Sequence, residues 1–446
     1  MATSSLIPPL LLLLLLSLLS LSVSALNSPK PLAFILPIKK DQKILQYSAS
    51  ITMGTPPVTL DLVIDIRERF LWFECDNHYN SSTYRPVQCG TAKCQQAKGK
   101  DCITCTNHPL KTGCTNNTCG VQVFNPISKF FVSGDIGEDF LSSVYKIVDN
   151  ASEISISKAR VPSFLSSCVY PNKFGVQGFL QGLAKGKKGV LGLARTAISL
   201  PKQLASKYNL PLKFALCLPS QKNGHGDLFV GGGPMPPHRD GDDDPPKFLD
   251  YTPLIINNYS TGPIFDGDAS TEYFIDVKSI QIDGEVVNFD TSLLSINNKG
   301  NGGTKLSTVI PHTKLHTLIY KPLVEHFVKQ AVGRKMKSVP AVEPFGACFD
   351  SKTVGNTNTG PDVPKIDLDL NGGVQWSIYG GNSMVKVGKN KLCLGFVDGG
   401  NIRTSIVLGG HQLEDNFLEF DLVDSKLGFS NSLLVHNVSC SHNRFP

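Results

Sequence analysis

LDLVIDIRERFLW, residues 60–72, alternates apolar and polar side chains through Leu60-Asp61-Leu62, runs apolar to Ile64 and ends at Asp65, turns through the charged run Arg67-Glu68-Arg69, and resumes with Phe70-Leu71-Trp72. Alternation with period two belongs to a strand, because successive side chains leave opposite faces of the pleat. An acid therefore stands at the end of a strand, just before a turn. A second stretch has the same build: GGTKLSTVIPHT, residues 302–313, places Ser307 where the first places its acid. Each is followed by a glycine-flanked apolar run, GVLGLARTAISLP (189–201) for the first and SIVLGGHQLEDNFLEFDL (405–422) for the second. This echo predicts two β lobes of similar size, residues 26–215 and 216–446.

The rest of the chain agrees with a mainly β protein. Alternating segments recur in SASITMGTPPVTLDLVID (48–65), GDLFVGGG (226–233), EYFIDVKSIQIDGEVV (272–287) and FLEFDLVDSKLGFS (417–430). They are bounded by Gly, Pro, Asn and Asp, the residues that make turns. Helical spacing is confined to two places, around Ser199–Lys207 and over Leu315–Val332. The stretch PPHRDGDDDPPKF (236–248) reads as a solvated loop. With 41% hydrophobic residues the chain can bury sizeable cores.

Residues 1–25 carry no charged side chain and hold a long leucine run ending in the small residues Val23-Ser24-Ala25. This is the pattern of a secretory signal peptide cleaved after Ala25. Pro8, Pro9 and the Ser-rich flanks fit poorly with a spanning helix of about 20 apolar residues, so no membrane association is expected once the leader is removed. The cysteines number 12: Cys75, Cys89, Cys94, Cys102, Cys105, Cys114, Cys119, Cys168, Cys217, Cys348, Cys393 and Cys440. The first seven make residues 75–119 a Cys-rich insertion in the first lobe. An even total behind such a leader predicts disulfides. Cys102 and Cys105 form a CxxC, but no second pair follows at ligand spacing, so no metal is expected. Asn80, Asn116, Asn150, Asn258 and Asn437 each begin an N-x-S/T sequon. The net charge of +6 is dispersed. That argues against nucleic acid, which is met by dense basic patches with interleaved aromatics. It suits either retention on an acidic polysaccharide or simple solubility.

FLWFECD (70–76), SSTYRPVQC (81–89), NNTCGV (116–121), ISLPKQLA (198–205), SLLSINNKGNGGTKLSTV (292–309), LCLGFVDGG (392–400) and RTSIVLGGHQLEDN (403–416) together resemble the pepsin-like aspartic proteases. They resemble still more the plant extracellular branch without protease activity: dermal glycoproteins, xyloglucanase inhibitors, TAXI-type xylanase inhibitors and basic seed globulins. The likeness runs from about Ile44 to Cys440. It implies a bilobal pepsin-like fold of two β-barrel-like lobes with a few short helices, and a bond between Cys348 and Cys393. A bond from Cys217 to Cys440 would tie the chain end to the lobe boundary. The other eight cysteines, from Cys75 to Cys168, then close among themselves in the first lobe, in a pairing left open.

Peptide hydrolysis on this fold needs two carboxylates close enough to share a proton. By the resemblance Asp65 takes the first position, but Ile66-Arg67-Glu68 follows in place of Thr-Gly-Ser, and Ser307 replaces the second acid. A hydroxyl does not take a carboxylate's role. Arg67, in the glycine place, is expected to crowd the turn and to pair with Asp65, holding it ionised. The segment after Cys119, GVQVFNP, lacks the Tyr-Gly-Asp of active members. No GxSxG or HExxH is present, and His312 reads as a packing or surface histidine. Proteolysis is thus not expected.

Two functions remain. The first is inhibition of secreted glycoside hydrolases, microbial or plant, that degrade cell walls. Xyloglucan-specific endoglucanase is the first target and xylanase the second. Retaining glycosidases hold two carboxylates about 5 Å apart, and a guanidinium's forked donors can bridge such a pair. The resemblance implies loop arginines in this role, here Arg403 in DGGNIRTSIV and Arg334 in QAVGRKMKSV. The second is a non-enzymatic glycoprotein that binds small peptides or serves for storage.

Overall fold

The chain's computed structural model describes residues 30–75, 79–105, 110–149, 154–170, 178–232, 249–260 and 268–441. The expected leader, the Asn150 sequon and the loop 236–248 lie outside them.

The strand that ends at Asp65, Val58–Asp65, forms an antiparallel hairpin with Tyr47–Met53, from Ser48 opposite Val63 to Met53 opposite Val58. Its last residues are buried without alternation because Leu62 and Ile64 pack into one hydrophobic cluster and Val63 into another, while Gly189–Gly192 runs parallel beside them with Gly192 opposite Asp65. A strand covered on both faces favours a continuous apolar run. Gly192 is required by proximity: a Cβ there would come within 2.5 Å of the Glu68 and Phe70 carbonyl oxygens. The second half repeats the device. Thr304–Leu306 lies parallel to Ile406–Leu408 and delivers Ser307, whose N–H donates to the Leu408 carbonyl at 2.9 Å. The echo in the sequence is thus two parallel strand pairs.

Of the strands, 20 belong to one hydrogen-bonded network. At its centre a run of antiparallel neighbours joins the halves. Ala33–Lys40 pairs with Gly226–Gly231, which pairs with Lys213–Cys217. Lys213–Cys217 pairs with Phe417–Asp421, then come Lys426–Phe429 and Asp250–Ile255. Three of these strands precede residue 233 and three follow residue 248, and the two sets meet where Lys213–Cys217 lies against Phe417–Asp421. Residue 215, where the sequence divides, sits inside that seam strand. Phe214 stacks on Phe420 at 4.5 Å across the seam, and Tyr273 packs 4.7 Å from Phe420. All three rings are buried. Each such side chain contributes about 1.5–3 kcal/mol by leaving water, so the seam is core and not a hinge between loose domains.

Both expected helices form. Leu200–Tyr208 starts after Ser199, with Pro201 in its first turn where no N–H is needed. Thr317–Gly333 is capped by His316, whose ring nitrogen accepts from Leu318 N–H, and it buries Ile319, Leu323, Phe327 and Ala331 on one face. Among the described residues, no helix is long and apolar enough to cross a membrane.

All the cysteines are paired. Cys348–Cys393, the bond the resemblance implies, joins direct neighbours on antiparallel strands, and Cys217–Cys440 ties the chain end to the seam strand. The first lobe holds Cys75–Cys168, Cys89–Cys102, Cys94–Cys119 and Cys105–Cys114. The eight cysteines from Cys75 to Cys168 therefore close among themselves as expected, and one bond leaves the Cys-rich stretch 75–119. Its cysteines are odd in number, and the one that leaves the group is Cys75. The strand Trp72–Glu74 runs parallel to the end of Ile154–Val169, with Phe73 opposite Cys168, and so carries Cys75 to within a Cα separation of 5.6 Å from Cys168. Cys75 and Cys168 thus belong to the buried body of the lobe, and the insertion proper holds the three remaining bonds, from Cys89 to Cys119.

Candidate functional site: a one-acid cleft and two unequal arginines

At the end of its strand Asp65 is fully buried. Its Oδ1 accepts the Arg67 backbone N–H at 2.8 Å, closing a short turn. Arg67 does not crowd this turn, because its backbone is not left-handed and its side chain runs out of it. The guanidinium lies 5.3 Å from the Phe124 ring centre, on the hairpin Thr118–Phe124/Phe131–Asp149, and its Nη2 is 3.6 Å from Asp65 Oδ2. The other half meets the turn through Thr308: its hydroxyl donates to the Ile64 carbonyl at 2.7 Å and accepts from Ile66 N–H at 3.3 Å. Ile66 has no hydroxyl with which to return the contact. Thr271 and Tyr273 also reach across, donating to the carbonyls of Arg67 and Leu193 at 3.3 and 2.7 Å.

Ser307 is buried, and its Oγ accepts from Ile310 N–H at 3.3 Å. No histidine hydrogen-bonds it, and no carboxylate hydrogen-bonds Asp65, among the described residues. The charge balance differs from what the sequence suggests. Burial pushes the Asp65 carboxyl above the usual range, and the pull of the Arg67 cation and N–H does not cancel it. The expectation that Arg67 holds Asp65 readily ionised is therefore corrected: the pairing exists, but complete desolvation outweighs it. Arg67 itself stays cationic. Burial lowers its pKa, yet Asp65, Glu272 and Glu68 more than restore it. Glu68, buried with Oε1 accepting from Arg69 N–H at 3.0 Å, is pushed up to about 7 by burial first and by Asp65 second. Its sequence position in a charged run hid this. His312 packs 5.0 Å from Phe345 and 5.8 Å from His411, and burial, then His411, pull it down to about 4.

The two candidate arginines differ in kind. Arg334 is the C-cap of helix Thr317–Gly333 and is pinned by Asp283 at 2.6 Å and Asp362 at 3.2 Å. Arg403 is exposed and donates only to the Lys299 carbonyl, at 3.1 Å; among the described residues it has no acidic partner. Its loop is fastened by Gly302 N–H to the Arg403 carbonyl at 2.8 Å. Gly300, at φ +74°, leaves room that a Cβ would fill, 2.6 Å from Tyr259 and 3.1 Å from Arg403 Nη2. The head is thus seated on a tight loop and left uncompensated. Asn80, Asn116, Asn258 and Asn437 are all exposed. Among the described residues, no group of three or more His, Cys, Asp or Glu side chains could hold a metal ion.

The comparisons with known proteins fall on this geometry. The family model "Xylanase inhibitor N-terminal" matches residues 47–232, and "Xylanase inhibitor C-terminal" matches residues 272–431. A probable aspartic proteinase GIP2 of Nicotiana benthamiana is 44% identical, covering 100% of this chain and 99% of the relative. The crystal structure of edgp superposes with a TM-score of 0.85 at 44% identity, over 93% of this chain and 98% of that one. Basic 7S globulin from soybean superposes with a TM-score of 0.76 at 31% identity, over 93% and 100%. The chain belongs to the xylanase-inhibitor family of pepsin-like proteins.

Proposed function

We propose that this chain is a secreted, non-proteolytic inhibitor of glycoside hydrolases that degrade cell walls, xyloglucan-specific endoglucanase before xylanase. The observation that carries the reading is the state of Arg403: exposed, seated on a fastened loop, and facing no acid among the described residues. A guanidinium in that state has its forked donors free for the carboxylate pair at the base of a glycosidase cleft. Arg334 is a poorer candidate, since two aspartates already take its charge. The name of one relative speaks of a proteinase, but here Asp65 faces a cation and the second position holds a hydroxyl. An acid paired with an arginine, with no carboxylate hydrogen-bonded to it among the described residues, does not prime water for attack on an amide.

The test is an inhibition panel of xyloglucan-specific endoglucanase, xylanase and an acid-protease substrate. Stoichiometric loss of endoglucanase activity is expected, with Arg403→Ala weakening inhibition by about thirtyfold or more, the scale of removing a desolvated charge contact. Arg334→Ala is expected to leave inhibition intact and to lower stability by no more than about 1 kcal/mol, as exposed ion pairs do. No effect on any hydrolase would overturn the reading and leave the peptide-binding or storage role.

A further inference from the structure

Beside the Asp65 turn and apart from the Arg403 loop, a cavity of about 330 Å³ opens where the lobes meet. Arg69, Lys98 and Arg195 line it, with Thr271, Gln96 and Asp268. Arg195 comes just after the Gly189–Gly192 strand, so the same packing that fixes Asp65 fixes it. Its guanidinium rests over the Tyr273 ring at 5.1 Å, and its Nε and Nη2 are buried with no hydrogen-bond partner among the described residues. Unpaired buried donors are costly, and native structures rarely leave them so unless something else supplies the acceptor. Asp268 does not: it pairs with Lys98 at 3.1 Å.

A second cavity of about 370 Å³ shares Gln96 and Ala197 with the first and adds Lys202 and Lys207, beside Gln203 and Ser206. Among the described residues the joined lining therefore holds five basic side chains against one acid. Amides and hydroxyls stand between the charges, the groups that meet sugar hydroxyls. Among the described residues no exposed aromatic lines either cavity, which disfavours bases of single-stranded nucleic acid. We propose that the two contiguous cavities form one groove for an oligosaccharide of uronic acids, with one carboxylate at Arg195 and Arg69 and the next along Lys202 and Lys207. The planar fork of an arginine matches a carboxylate, and the lysines serve as point charges along a chain. This groove uses no part of the Arg403 loop, so it stands or falls separately from the inhibitor reading.

The experiment is titration calorimetry of the intact protein with tetragalacturonate, using galacturonate monomer and a neutral xyloglucan oligosaccharide as the other arms. Saturable binding of the tetramer is expected, about tenfold or more tighter than the monomer, weakened by salt and absent for the neutral sugar. Arg195→Gln is expected to weaken it by about tenfold or more. The surface pair Lys202→Glu with Lys207→Glu, which avoids any packing defect at Arg195, is expected to do the same while endoglucanase inhibition stays unchanged. Absence of saturable tetramer binding at low salt, or full binding by both variants, overturns the groove. Equal affinity for monomer and tetramer overturns its extended form.

Discussion

Arg67 changes the chemistry of its turn without changing the turn's path. The Asp65 carbonyl still receives Glu68 and Leu193 N–H groups, at 3.3 and 3.1 Å, and the acid is still presented at the strand end. Restoring one acid should therefore not restore cleavage: Ser307→Asp is expected to show no pepstatin-sensitive activity in an acid-protease assay, because Arg67 still sits 3.6 Å from Asp65 Oδ2. Glu68 gives a second prediction. Its folded pKa, about 7, lies above the ordinary value of 4.5. A raised acid pKa means that the folded state holds the proton more tightly, so stability falls as pH rises through 4.5 toward 7 and the loss is complete above 7. Glu68→Gln should thus be neutral at about pH 4 and stabilising by about 1–3 kcal/mol at about pH 8, measured by denaturant unfolding at both values. A larger gain in acid than in base would contradict this. Asp65, Arg67 and Ser307 were legible because a strand end and a broken turn pattern mark them locally. Glu68 and Arg195 were not, since the burial that alters them comes from residues far away in the chain.

Strands and helices whose signals are periodic read well from sequence. Ser199–Lys207 and Leu315–Val332 became Leu200–Tyr208 and Thr317–Gly333, differing only at the ends. Pairings between elements read poorly, since nothing local in Cys94 points to Cys119 rather than to Cys89. Cys75 is the plainest case: it stands closest in sequence to Cys89, yet its partner is Cys168, brought beside it by a parallel strand pairing that no local pattern announces. These bonds are unequal. Cys105–Cys114 spans 9 residues and Cys217–Cys440 spans 223. Loop-closure entropy assigns about 2–3 kcal/mol to the first and about 5 kcal/mol to the second. The double variant Cys217→Ser with Cys440→Ser should therefore lower the unfolding temperature by more than Cys105→Ser with Cys114→Ser. Thermal scans of the two proteins side by side check it, and the reverse order would place the stabilisation elsewhere.

The whole molecule is a pair of similar halves joined through a shared sheet. The doubled motif in the sequence announced the halves, but not that three strands from before residue 233 and three from after residue 248 form one central ladder. That ladder depends on contacts between residues more than two hundred positions apart, such as Lys213 with Asp421, which pair both through their backbones and by an ion pair of 2.8 Å. Lys40 and Tyr47, from the first half, likewise bind Glu414 of the second. The Cys217–Cys440 bond links the stretches of chain on the two sides of residues 233–248. A protease severing the backbone anywhere within that stretch would yield two polypeptides that migrate as one species until a reductant is added. Even reduced, they would remain clasped edge to edge, so a nicked molecule keeps its shape and its exposed arginine.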